Sequence, residues 1–160
     1  MNVALFVFPT INREASMRSF RSFAPAVALA AAGTLSSCML FAKPPADLDY
    51  SRTRASEAGV YRATIKPQGD TIPKGKLHSW TLHLESPEGS PVAVQQVAVN
   101  GGMPQHGHGL PTKPRATRRT PEGDVVIDGM KFNMGGWWVV TFKLTAPGAA
   151  PDSLTFNVKL

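Results

Sequence analysis

From Gly59 to Leu160 the apolar residues recur with a period of two, and turns rich in Gly and Pro interrupt the alternation. In Lys76–Glu85, Trp80, Leu82 and Leu84 fall on one face, with Ser79, Thr81, His83 and Glu85 on the other. That is the pattern of a half-buried strand. Gly59–Lys66 alternates through Tyr61, Ala63 and Ile65, and Pro67-Gln68-Gly69-Asp70 ends it. Trp137–Thr145 sets Trp138, Val140, Phe142 and Leu144 together, and Ser153–Leu160 does the same with Leu154, Phe156, Val158 and Leu160. Two segments change parity. Val92–Asn100 does so at Gln95-Gln96, and Asp124–Met134 does so between Ile127 and Met130. A one-residue bulge at Asp128-Gly129 would turn Val125, Ile127, Met130, Phe132 and Met134 inward together. No helical period is present. The spacing predicts an all-β, antiparallel, immunoglobulin-like β-sandwich of about seven strands, with Trp80 and Trp138 as its bulkiest core residues.

The preceding residues read differently. Met17–Cys38 carries Arg18 and Arg21, then an apolar, alanine-rich run, then small residues ending Leu35-Ser36-Ser37-Cys38. This is the three-part form of a secretory signal, with an apolar run too short for a permanent membrane span. Its end resembles a bacterial lipobox, which implies that Cys38 is lipidated and becomes the first residue of the mature chain. Residues 1–38 are therefore expected to be an upstream extension and lipoprotein signal, 39–57 a flexible tether marked by Pro44-Pro45, and 58–160 the sandwich domain. The protein is expected on the periplasmic side of the cell envelope, anchored to a membrane through lipid. Met39 is not the Asp that the lipoprotein sorting rule associates with inner-membrane retention, so the outer membrane is favoured.

Composition adds exclusions. The 160 residues carry 17 Lys+Arg and 11 Asp+Glu, a formal net charge of +6. Three of those cations and one acid precede Cys38, so the exported part has 14 and 10, a net +4. That excess does not call for nucleic acid as a partner. One cysteine excludes a disulfide framework. No phosphate loop, nucleophile elbow or paired-carboxylate spacing is evident, so the domain is not expected to be an enzyme.

The segment that stands out is Asn100–Pro114, NGGMPQHGHGLPTKP, which is too rich in Gly and Pro to be a strand throughout. Met103, His106 and His108 lie within six residues. If the chain is extended, His106 and His108 project to the same side, and a turn begun at Pro104 lets the Met103 thioether approach them. Imidazoles bind Zn, Cu and Ni, and adding a thioether favours Cu(I). The alternative is a contact loop that binds a partner protein. Of the Met130/Phe132/Met134 set, core packing is the expected role, with Met134 the better ligand candidate because Gly135-Gly136 follows it. His78 is expected to be a satisfied, partly buried residue and His83 a solvated one. The cations Lys113, Arg115, Arg118 and Arg119 read as a solvated stretch that could meet an acidic partner or anionic headgroups.

Met103-Pro104-Gln105-His106-Gly107-His108-Gly109, then Pro111-Thr112-Lys113-Pro114 and Gly129-Met130-Lys131-Phe132-Asn133-Met134-Gly135-Gly136-Trp137-Trp138, resemble the YtkA-like domain, and the similarity extends over 59–160. The resemblance implies a small secreted or membrane-anchored β-sandwich related to FixH-type proteins. Some members are associated with copper delivery or respiratory oxidase assembly. Two readings follow. In one, a tethered periplasmic protein captures Cu(I) through Met103, His106, His108 and Met134 and delivers it to an acceptor metalloprotein. In the other, a non-metal assembly module uses the same loop.

Overall fold

The computed structural model describes residues 43–160. The signal segment and Cys38 lie outside the described residues. In chain order the strands are β1 (Thr53–Ala55), β2 (Arg62–Pro67), β3 (His78–Glu85), β4 (Gln96–Met103), β5 (His108–Gly109), β6 (Arg115–Arg119), β7 (Val125–Met130), β8 (Trp137–Thr145) and β9 (Asp152–Lys159). A single 3-10 turn, Pro104–His106, joins β4 to β5. Every strand pairing is antiparallel, in the order β1-β2-β3-β7-β6-β4-β8-β9, with β5 added beside the end of β4. The all-β sandwich is thus present, with nine strands in place of about seven. Among the described residues the strands without a counterpart in the alternating segments are β1, β5 and the fully exposed β6.

The alternation decides which faces are buried. Trp80, Leu82 and Leu84 of β3 face inward against Trp138, Val140, Phe142 and Leu144 of β8 and Leu154, Phe156 and Val158 of β9 in one core. Burying each such side chain contributes about 1.5–3 kcal/mol. The sheet joins β6 to β7 along the length of the strand but to β4 only at Ala98↔Arg115. Its two ends meet where the Glu57 N–H donates to the Ser153 carbonyl at 2.9 Å and the Asn157 side-chain amide donates to the Asp49 carbonyl at 3.0 Å. Strand β1 therefore lies inside the stretch expected to be tether, and the ordered sheet begins before Ala58.

The bulge falls where the parity change puts it. His78 pairs with Met130 and Trp80 with Ile127, so Asp128 and Gly129 occupy one position too many on β7. Val125, Ile127, Met130 and Phe132 are all buried as a result. Met134 is not, at 40% exposed, which corrects the expectation of a core residue. The chain has left the strand face by then, in the turn that leads to β8.

Two histidines also depart from expectation. His83 is held between carboxylates, with Nδ1 2.6 Å from Asp124 and Nε2 3.7 Å from Glu85. It is thus a member of a polar network on the outer face. His78 is buried between Trp80 and Phe132. Its Nδ1–H donates to the Lys76 carbonyl at 3.2 Å while Nε2 has no partner. It is only half satisfied.

Candidate metal site

The Gly/Pro-rich segment is a hairpin. Strand β4 runs on through Gly101 and Gly102 to Met103, the 3-10 turn opens with Pro104, and β5 returns with Met103↔His108 and Gly102↔Gly109 in register. Gly107 closes the turn, its N–H donating to the Met103 carbonyl at 3.0 Å. Gly101 and Gly102 form the strand because backbone must pass close on either side. A Cβ at Gly102 would lie 2.5 Å from the His108 carbonyl oxygen, and one at Gly101 would collide with that of Val139. The two glycines that make the sequence resemble a loop are what let three strands crowd together here.

His106 and His108 are both exposed, and their rings are stacked, with centroids 5.8 Å apart and planes at 22°. Extended geometry is not the reason they share a side. His106 lies in the 3-10 turn and His108 in β5, and Gly107 between them, at φ 65°, turns the chain in the left-handed region. The His108 Nδ1–H donates to the Gly109 carbonyl at 3.3 Å. That hydrogen bond leaves Nε2 as the ring's lone-pair nitrogen.

Beneath the pair lies Trp138, fully buried. The His108 ring tilts against its indole at 5.7 Å and 60°. The Trp138 Nε1–H donates to the Met134 carbonyl at 3.1 Å, which ties the turn before β8 to the floor of the histidine pair. Phe132 meets Trp138 edge-on at 5.2 Å and continues the aromatic contact to Trp80 and His78. Sequence reading gave Trp138 a core role and no link to the loop. The link depends on the β4–β8 register, for which a single sequence carries no signal.

The two thioethers occupy different places. Met103 is 2% exposed, and its methyl packs so closely over Gly136 that a Cβ there would lie 2.5 Å from it. Met134 is at the surface. All three methionines of the described residues, Met103, Met130 and Met134, lie at this end of the sandwich, as do His78, His106 and His108. His83, farther along β3, is the exception. Among the described residues no three His, Cys, Asp or Glu side chains cluster in a way that could hold a metal ion. The donors concentrated at this end are imidazoles and thioethers.

Comparisons with known proteins bear on what this chain is. The crystal structure of "as isolated" FetP from uropathogenic E. coli strain F11, recombinantly expressed in the periplasm of E. coli BL21(DE3), aligns at 14% identity and a TM-score of 0.40, covering 62% of this chain and 86% of that one. No curated protein matches the chain. The YtkA-like family model matches residues 55–143, more than half of the sequence and most of the sandwich, hairpin and Trp138 included, and the chain belongs to the YtkA-like family.

Proposed function

We propose that this protein is a lipid-anchored copper-handling protein of the periplasmic side of the envelope, which binds Cu(I) and passes it to an acceptor, with no catalysis of its own. The observation that carries this reading is the stacked His106/His108 pair set over Trp138, whose N–H holds the turn bearing the exposed thioether of Met134. With a metal–nitrogen bond of about 2 Å, and a ring nitrogen roughly 1.1 Å from its ring centre, two imidazoles on one ion have centroids at most about 6.3 Å apart. The observed 5.8 Å falls within that limit. Imidazole with thioether suits a soft, univalent ion, and neither donor is oxidised to a disulfide in an oxidising compartment. An exposed site with few protein donors also leaves room for an acceptor's ligands, as transfer by ligand exchange requires.

The roles then divide by exposure. His106, His108 and Met134 form the accessible set, and Met103 supports the hairpin from below, its sulfur within the core. The test is a Cu(I) titration of the full-length chain against a competing chelator, with zinc run in parallel. One Cu(I) is expected to bind, to be lost in His106→Ala/His108→Ala, and to bind about tenfold more weakly in Met134→Leu, roughly 1.4 kcal/mol, with zinc binding unmoved by the latter. Binding that survives removal of both histidines would sink the reading.

A further inference from the structure

The cations Arg118 and Arg119 have no part in the proposed copper site, yet they line a groove of their own. It has a volume of about 500 Å³ and lies on the outer face of β2, β3, β7 and β6. Its ten lining residues include three cations, Lys66, Arg118 and Arg119, and no carboxylate. The register explains this arrangement. Lys66 pairs with Thr81, Thr81 with Val126, and Val126 with Arg118, so one row across four strands has a cation at each end and a hydroxyl and a valine between. At about 4.8 Å per strand the two cationic positions are roughly 14 Å apart, and both residues line the groove.

The guanidinium groups are held in place. Arg118 donates to Asp128 at 3.1 Å. Asp128 also receives the Ser79 hydroxyl at 2.5 Å and that of Thr117 at 2.6 Å, which hold the carboxylate at the edge of the groove, so Lys66 is the cation of the row without an acidic partner among the described residues. The Arg118 side chain remains 65% exposed. Arg119 is fixed by the carbonyls of Val94 and Gly123. Cations beside the Thr81 hydroxyl and a recessed Val126 make a surface with the chemistry to meet carboxylates along an extended chain.

We propose that this groove docks an extended acidic segment of a partner protein. Charge complementarity selects an anionic occupant. The concave floor selects a chain over a bilayer, because a planar headgroup layer would not reach Val126. No aromatic side chain lines the groove to stack bases, which sets single-stranded nucleic acid aside. The site is separate from the histidine pair and does not depend on copper.

The experiment measures fluorescence anisotropy of a labelled ten-residue peptide alternating Glu and Val, with the full-length chain and with Lys66→Gln/Arg118→Gln, Lys143→Gln and the Glu-to-Gln peptide as comparisons. Binding is expected to weaken as salt is raised, to fall at least tenfold in the Lys66/Arg118 double variant, and to be unchanged in Lys143→Gln, an exposed cation on β8. Folding of each variant is checked by tryptophan fluorescence, and single Lys66→Gln, which breaks no hydrogen bond of Asp128, repeats the test at a smaller loss. Equal loss in Lys143→Gln would mean unspecific attraction. Absent peptide binding, or equal binding of the Glu-to-Gln peptide, would overturn the proposal.

Discussion

Trp138 donates its indole N–H to the Met134 carbonyl at 3.1 Å while the same side chain packs against the His108 ring at 5.7 Å. One buried side chain therefore sets the distance between the two arms of the candidate site, the hairpin and the turn before β8. Trp138→Phe keeps an aromatic floor and removes the donor. The freed carbonyl and the smaller ring are expected to cost about 2 kcal/mol of stability. Cu(I) affinity is expected to fall about fivefold because the Met134 turn is no longer tied down. Denaturant unfolding and the chelator competition measure the two effects. Reduced stability with unchanged affinity would show that Trp138 packs the core without positioning the site.

Glycine positions 136 and 101 are both too close to neighbours for a side chain, but the neighbours differ. The group facing Gly136 is the methyl end of Met103, and Gly136 also has φ 122°, whereas Gly101 faces the backbone of Val139 and Val140. Gly136→Ala is expected to cost roughly 1–3 kcal/mol, part of which Met103→Ala relieves, giving a coupling of about 1 kcal/mol in a double-mutant cycle. Gly101→Ala has no flexible partner to move and should be the more damaging, at roughly 3 kcal/mol or more. A smaller loss at Gly101 than at Gly136 would contradict the close strand packing described for the hairpin.

His78 offers a test of the opposite sign. Its Nε2 is buried without a partner, and its ring lies 5.7 Å from Phe132 and 6.3 Å from Trp80. An unpaired buried acceptor costs about 1–3 kcal/mol. His78→Phe fills a similar volume and removes that penalty along with the Nδ1 hydrogen bond. The variant is expected to be as stable as the wild type or up to about 1 kcal/mol more so, with copper stoichiometry unchanged. A loss of copper would bring His78 into the site and revise the ligand set.

These contrasts show which parts of the molecule can be read from sequence. Strands β3, β8 and β9 were legible because Trp80-Leu82-Leu84, Val140-Phe142-Leu144 and Leu154-Phe156-Val158 each commit one face to the core, and alternation is a local signal. The bulge was legible because a parity change beside Gly129 admits few other readings. Strand β4 beyond Asn100 was not, because Gly101 and Gly102 have no side chains with which to show a face. Their reason for being there is the backbone passing alongside, from β8 and β5. The outward position of Met134 was hidden for a similar reason, since its carbonyl is captured by an indole in another strand position. The histidine pair was found by spacing, but the geometry that joins the rings is a left-handed turn at Gly107 rather than an extended strand.

Acid should act through Asp152, which is 5% exposed at the seam between the chain after β1 and the start of β9. Burial pushes its carboxyl pKa up, but the nearby Ser56 hydroxyl and the N–H groups of Ala58 and Ser153, which donate to its Oδ1, favour the charged form, and the net result lies below the ordinary value. A carboxylate depressed in the folded state stabilises the fold fully above its unfolded pKa, near 3.9, and loses that contribution as pH falls through the folded value. Stability is therefore expected to hold between about pH 7 and 5 and to drop below about pH 4. Asp49, Glu85, Glu88 and Asp128, also depressed but more exposed, add to the same slope. Asp152→Asn removes the titrating group and leaves a neutral oxygen where a charged one accepts from the Ala58 and Ser153 amides, so the variant should be less stable at pH 7 and lose less on acidification. Urea unfolding of both proteins from pH 7 to pH 2.5 measures the difference. Parallel curves at every pH would mean that the β1–β9 seam does not depend on this charge.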